Sequence, residues 1–389
     1  MGNSFQNFRM PLIFLVTLLL PVFFCHLIPD VVRSSLYAVS LSIKELLIFS
    51  LPFIIFSLVF NSITKIGTKA LGYAVVIVSL VYISNFTNTM LSYGVSSIIS
   101  TFEAGLKTTH TNGGSNLQPN FILSIPKIIS NDIALVFGVL SGFIVGLFKN
   151  GTAIKMSVVL DKFTKLFFKV LIPLMPLFIV GTAVKLQQDG ILTSIVEKYL
   201  PILCIFLFAA CGAITVQLVV LAKFRIGKVL EYIKNTLPAM ITALGSMSSA
   251  AALPLSIEAA EKNLQDKTNA GIIVPSVVNI HLVGDCFFIP MIAIAVMVSF
   301  NLDFPDISKY LLFAVHFVIA KFAVAAVPGG GVLVMLPIMQ KYLGLSADML
   351  ALVTALYVLF DPLITMCNVA GNASMAIAFD KVVGRMTKR

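Results

Sequence analysis

The sequence predicts an all-α integral membrane protein, and three observations carry that expectation. Hydrophobic residues make up 58% of the 389-residue chain and charged residues only 11%, against about a quarter charged in an ordinary soluble domain. The mean hydropathy is +1.01, more apolar surface than a soluble fold of this length can hide. Apolar runs at or near the roughly 20 residues that a membrane-crossing helix needs recur at 10–29, 41–62, 71–100, 130–148, 170–184, 199–222 and 270–300.

The run at 10–29 reads as a span rather than a cleaved leader. Its apolar stretch is long, and no small-x-small site follows at Cys25-His26-Leu27. The net charge of +10 invites a nucleic-acid reading, which its distribution argues against. Basic residues cluster at Lys65 and Lys69, from Lys149 to Lys169, from Lys223 to Lys234, at Lys262 and Lys267, and from Lys381 to Arg389; 101–126 and 301–308 are poor in them. This alternation is the positive-inside pattern, and it places both termini and these clusters in the cytoplasm. The expectation is a multi-pass protein of the plasma (cell inner) membrane, in contact with membrane lipid and not with nucleic acid. Polar residues 101–120 read as a connection between spans.

Cys25, Cys204, Cys211, Cys286 and Cys367 lie in or beside apolar runs without a CxxC spacing, so neither a disulfide framework nor a zinc site is expected. His26 and His110 sit in polar margins or a loop, His281 and His316 in apolar segments. No cofactor is implied.

The second half carries the specific signals. Ala243-Leu-Gly-Ser-Met-Ser-Ser-Ala-Ala-Ala-Leu-Pro254 and Ala325-Ala-Val-Pro-Gly-Gly-Gly331, followed by Val-Leu-Val-Met-Leu-Pro337, interrupt two apolar segments near their middles. Broken helices in hydrocarbon persist only where they line a cavity or pack in protein. Two of them in corresponding positions point to re-entrant hairpins around a transporter binding site; kinked spans packed by small residues are the alternative.

Ser248-Ser-Ala-Ala-Ala-Leu-Pro254 resembles the serine-rich tip of the first hairpin in the dicarboxylate/amino acid:cation symporter family, the glutamate-transporter family. Val327-Pro-Gly-Gly-Gly331 resembles the tip of its second hairpin, and Asp361-Pro-Leu-Ile-Thr-Met-Cys-Asn-Val-Ala-Gly-Asn372 is similar to its last helix. The resemblance covers nearly the whole chain. It implies eight transmembrane helices plus two re-entrant hairpins with inverted repeats, assembled as a homotrimer, and a non-enzymatic, elevator-type secondary transporter. Residues 1–225 would form mainly the trimerisation scaffold, with the third and sixth helices joining the transport domain. Residues 226–389 would form the core of that domain: hairpin one at about 229–262, an unwound seventh helix at 268–300, hairpin two at 308–343 and the eighth helix at 346–384.

Carried over residue by residue, the resemblance gives Asp361 to the substrate's amino group and Asn368 to its backbone polar groups. Ser248 and Ser249 fall on the carboxylate edge, with Val327 and Gly329 in the second tip and Asp285 near the substrate side chain. Ile364 replaces the family arginine that pairs with an acidic side chain, which removes a bidentate cation and favours a neutral or polar amino acid over glutamate. The family's Asn-Met-Asp-Gly-Thr run is His281-Leu-Val-Gly-Asp285 here, so His281 and Val283 replace two sodium-site residues; Asn372 replaces a second carboxylate, and Lys321 stands in place of a serine. A hard cation wants oxygen ligands with carboxylate charge, and Asn85, Thr87 and Asn368 are the oxygens that remain to rebuild such a site.

His281, Lys321, Asn368 and Asn372 are thus the coupling-ion candidates, for a proton or sodium. Three readings stay open. Asp285 and Lys321 form a structural ion pair; or His281 and Asp285, spaced i and i+4 on one face, exchange a proton; or the Lys321 ammonium stands in a sodium site. Other functions also stay open: a dicarboxylate or glutamate sodium symporter with rebuilt sites, a channel-like leak, or a membrane-buried hydrolase using Ser248 or Ser249, His281 and Asp285.

Overall fold

The computed structural model describes residues 16–17, 20–21, 23–65, 71–100, 117–126, 128–129, 131–147, 155–156, 158–160, 162–163, 166, 169–170, 172–188, 191–322, 324 and 330–386. Among these residues every regular element is helical. In chain order they are α1 (Asp30–Lys65), α2 (Leu71–Ser100), α3 (Asn131–Leu147), α4 (Met175–Gln188), α5 (Ile191–Leu221), α6 (Ile226–Ser246), α7 (Leu253–Asn263), α8 (Ala270–Val277), α9 (Val283–Ser299), α10 (Ile307–Lys321), α11 (Gly330–Leu333) and α12 (Ala347–Met386). Short turns at Leu336–Ile338 and Met339–Leu343, the second π-helical, join α11 to α12. By length and composition, segments of three of these helices can cross a membrane: Val75–Ile98, Tyr199–Leu221 and Ala347–Gly384.

The packing gathers most of the helices into two groups, with α4 touching both. α1 lies along α3 and α4, whereas α2 and α5 pack on α9, α10 and α12. At the centre is α9, every residue of which from Val283 to Ser299 is buried. A helix that is apolar all round is stable only when covered on all sides, and α2, α5 and α12 cover it. The apolar run expected at 270–300 is therefore two helices, with a break at 278–282. A break in hydrocarbon frees backbone groups, and the Asn85 amide of α2 satisfies two of them. Its Nδ2 donates to the Ile280 carbonyl at 2.8 Å, and its Oδ1 accepts from the Leu282 N–H at 3.3 Å. Thr87 does not share this role: it is exposed, on a different face of α2 from buried Asn85.

The first interruption is a helical hairpin. α6 ends where Met247 enters the left-handed region (φ 52°) and its N–H bonds the Ala243 carbonyl; α7 starts with Pro254 in its first turn, where a missing N–H costs nothing. The Ser248 hydroxyl accepts from the Ala251 N–H at 3.3 Å, stitching the tip. At the far ends of the arms Asn235 donates to Asn263 at 2.8 Å, and Asn263 donates to the Tyr232 carbonyl. In the second interruption α10 runs to Lys321 and the chain is described again from Gly330. Most of the Val327–Gly331 motif, with Val327 and Gly329, lies outside the described residues.

Candidate functional site

The 40-residue α12 presents a polar stripe to α9 and the interior: Asp361, Thr365, Asn368 and Asn372 are each buried and recur at three- and four-residue spacing. Opposite the stripe, α9 begins at Val283 with Gly284, where a Cβ would collide with the Ile364 carbonyl and press on Asn368 and Cys367. Gly371 of α12 answers it, lying against the Val283 side chain. These two glycines bring the start of α9 close enough for the Asp285 N–H to donate to Asn368 Oδ1 at 3.3 Å.

Asp285 is the hub of the site and is 1% exposed. Its Oδ2 accepts from the Lys321 ammonium at 2.8 Å, and its Oδ1 from the Tyr357 hydroxyl at 3.1 Å and Asn368 Nδ2 at 3.0 Å. Lys321, fully buried, also lies 3.5 Å from the Gly331 carbonyl and 4.8 Å from the centre of the Phe317 ring. A side chain at Gly331 would run into Asp285 and Tyr357, so α11 is seated directly on the ion pair. Tyr357 neighbours Asp361 as well, whose Oδ1 accepts from Thr365 at 3.0 Å. Asp285, Lys321, Asp361 and Asn368 are thereby joined in one buried network, with Ile364 (0% exposed) beside it.

His281 belongs to a second cluster. Its Nε2 bonds Ser84 of α2 at 2.9 Å and its Nδ1 bonds Asn372 Oδ1 at 3.2 Å. This corrects two readings of the sequence. His281 lies in the break before α9, so it does not share a helical face with Asp285, which points at Lys321 instead. The Ser–His–Asp hydrolase arrangement is not assembled either, since Ser84 and Asn372 hold the imidazole.

Ser249 is buried and Ser248 half-buried at the tip between α6 and α7. Ala239, Ala243 and Ala252 of this hairpin pack on Val369, next to Asn368. Tyr357 and Ser84 are the residues that sequence reasoning missed. Tyr357 precedes Asp361 by one helical turn, a spacing that could have marked it.

A family model described as the sodium:dicarboxylate symporter family matches residues 12–382. Human "Neutral amino acid transporter B(0)" is 28% identical over 214 residues, which are 54% of this chain and 38% of that protein. The "C4-dicarboxylate transport protein" of Pseudomonas savastanoi pv. phaseolicola is 24% identical over 309 residues, 75% of this chain and 66% of the relative. "Excitatory amino acid transporter 1" of Ambystoma tigrinum is 29% identical over 143 residues, 36% of this chain and 26% of that protein. The chain thus spans well under two thirds of the human and Ambystoma relatives. With nearly its whole length matched by one family model, and all of these relatives named as transporters, the chain belongs to the sodium:dicarboxylate symporter family.

Proposed function

We propose that this protein is a secondary carrier for a neutral or polar amino acid, in which Lys321 supplies the cation that its relatives take from solution. The observation that carries this reading is the Lys321–Asp285 pair at 2.8 Å, fully buried beside Asn368 and Ile364. A carboxylate in the interior needs a compensating charge. Here an ammonium held by the chain provides it, so no solute cation is required at that point. The residues that replace the family's other cation ligands do not suit sodium either: Val283 offers methyl groups to Gly371, and Asn372 spends its oxygen on His281.

In this proposal Asp361 receives the substrate ammonium, Asn368 its backbone polar groups, and the Ser248–Ser249 tip, with Val327 and Gly329, its carboxylate. Ile364 lines the side-chain end without a cation, which disfavours glutamate and dicarboxylates. Eight transmembrane helices, two re-entrant hairpins, a scaffold in 1–225 and a transport core in 226–389 complete the architecture, moving as an elevator within a homotrimer in the cell inner membrane with both termini in the cytoplasm. The packing of α1 along α3 and α4, and of α2 and α5 on α9 and α12, supports that division, with α4 touching both groups.

The test is counterflow in proteoliposomes loaded in turn with each amino acid and dicarboxylate. Neutral or polar amino acids should accelerate label entry, and Ile364→Arg should shift the preference toward aspartate and glutamate. Acceleration by dicarboxylates alone in the unmodified protein would refute the substrate assignment. Uptake insensitive to solute on the opposite side would indicate a channel.

A further inference from the structure

A cavity of about 210 Å³ lies between α5, α6 and α12, walled chiefly by Leu218, Tyr232, Thr236, Met366, Ala370 and Ile377. It is separate from the polar network. Met366, Ala370 and Ile377 fall on the face of α12 opposite Asp361, Ile364 and Asn368. Its threonines are spent on their own helices: Thr236 donates to the Tyr232 carbonyl at 2.8 Å and Thr215 to the Cys211 carbonyl at 2.7 Å. What remains is an apolar slot, suited to hydrocarbon.

One end of the slot is basic. Lys228 Nζ sits 5.6 Å from the centre of the Tyr232 ring, and Lys223 and Arg225 are exposed in the turn just before it. Lys381, one turn beyond Ile377, donates to the Leu221 carbonyl at the end of α5, on the same side. Glu231 and Lys234 follow on α6, so the stretch 223–234 holds four cations and one anion. The turn itself is strained, with the side-chain-bearing residues Lys223 and Phe224 in the left-handed region at φ 52° and 61°. It projects Phe224, 74% exposed, beside Ile226 (60%) and Leu230 (62%). Apolar side chains flanked by cations at the rim of an apolar slot match the boundary between acyl chains and acidic headgroups.

We propose that this slot is a binding site for one anionic phospholipid, its acyl chain between α5, α6 and α12 and its phosphate against Lys223, Arg225 and Lys228. Charge complementarity selects an anionic lipid over a zwitterionic one, and the apolar walls select a lipid over free phosphate.

The sequence contains no tryptophan, so Tyr232→Trp places a single fluorophore in the cavity wall and Phe208→Trp, at a site 85% exposed on α5, gives a control for bulk lipid. Full-length protein is reconstituted with phosphatidylglycerol or phosphatidylcholine brominated on the acyl chain. At Tyr232→Trp the brominated phosphatidylglycerol should quench at a lower mole fraction than phosphatidylcholine. The preference should fall about fivefold for each cation removed in the K223Q, R225Q and K228Q series. Ala370→Leu, which fills the slot from inside, should abolish saturable quenching while leaving the Phe208→Trp control unchanged, and inorganic phosphate should not compete. Equal quenching by both lipids, the same preference at Phe208→Trp, a preference unchanged by the charge variants, or undiminished quenching in Ala370→Leu would each overturn the proposal.

Discussion

Asp285 accepts three hydrogen bonds while shielded from solvent, and one of its donors is a charged lysine. Removing one partner of such a pair leaves an isolated charge in a medium that solvates it poorly, at a cost of about 3–5 kcal/mol. Asp285→Asn and Lys321→Met should therefore each lower the thermal midpoint of the detergent-purified protein sharply. The double variant should recover much of the loss, because neither charge is then stranded. Additive losses in the double variant would show that the pair does not act as a unit. Asp361 accepts from the neutral Thr365 hydroxyl and lies beside the neutral Tyr357. Asp361→Asn should abolish amino acid uptake with little change in the thermal midpoint, because it removes the carboxylate proposed to meet the substrate ammonium. Retained transport with unchanged apparent affinity would show that the pocket lies elsewhere.

At the scale of elements, the break between α8 and α9 exists because Asn85 satisfies a carbonyl and an N–H that a continuous helix would have paired internally. Asn85→Ala leaves both groups buried without that amide, at about 1–3 kcal/mol for each. It should raise hydrogen exchange at 278–282 before it affects α9 itself. Exchange confined to other segments would mean that the break is held by packing alone. The seating of α11 offers a second handle. A methyl at position 331 would meet Asp285 and Tyr357, so Gly331→Ala should displace α11 from the ion pair and weaken substrate affinity more than it lowers stability. A longer-range strap lies elsewhere: Asp380 of α12 accepts from the N–H groups of Gln265 and Asp266 and from Asn269, anchoring the link between α7 and α8.

For the whole molecule, the proposed built-in cation decides what drives transport. Uptake in proteoliposomes, measured with sodium, pH and potential gradients imposed one at a time, should depend weakly or not at all on sodium. A zwitterion exchanged through a carrier whose cation is Lys321 carries no net charge across. An imposed potential, worth about 2.3 kcal/mol per unit charge per 100 mV, should then leave the rate unchanged. Lys321→Ser leaves Asp285 without its ammonium and should make uptake depend on an added monovalent cation. A steep sodium dependence in the unmodified protein would defeat the built-in cation. A response to an inward pH gradient that His281→Ala removes would point to the cluster of Ser84, His281 and Asn372 as the coupling site.

Hydropathy and the two interrupted segments marked the all-helical membrane class, because apolar length and helix-breaking residues act locally along the chain, and the resemblance of three motifs marked the family. The same resemblance marked Asp361, Asn368 and Asn372, which share one face of α12. Partner choice was beyond the sequence. Nothing local tells His281 that Ser84 and Asn372 will hold it, or Asp285 that Lys321, Tyr357 and Asn368 will converge on it from three separate elements. The expected i, i+4 pairing of His281 with Asp285 failed because α9 starts only at Val283, and that boundary depends on an amide supplied by α2, nearly two hundred residues away in the chain. Which buried charge meets which is a matter of long-range packing, and the tertiary structure alone decided it.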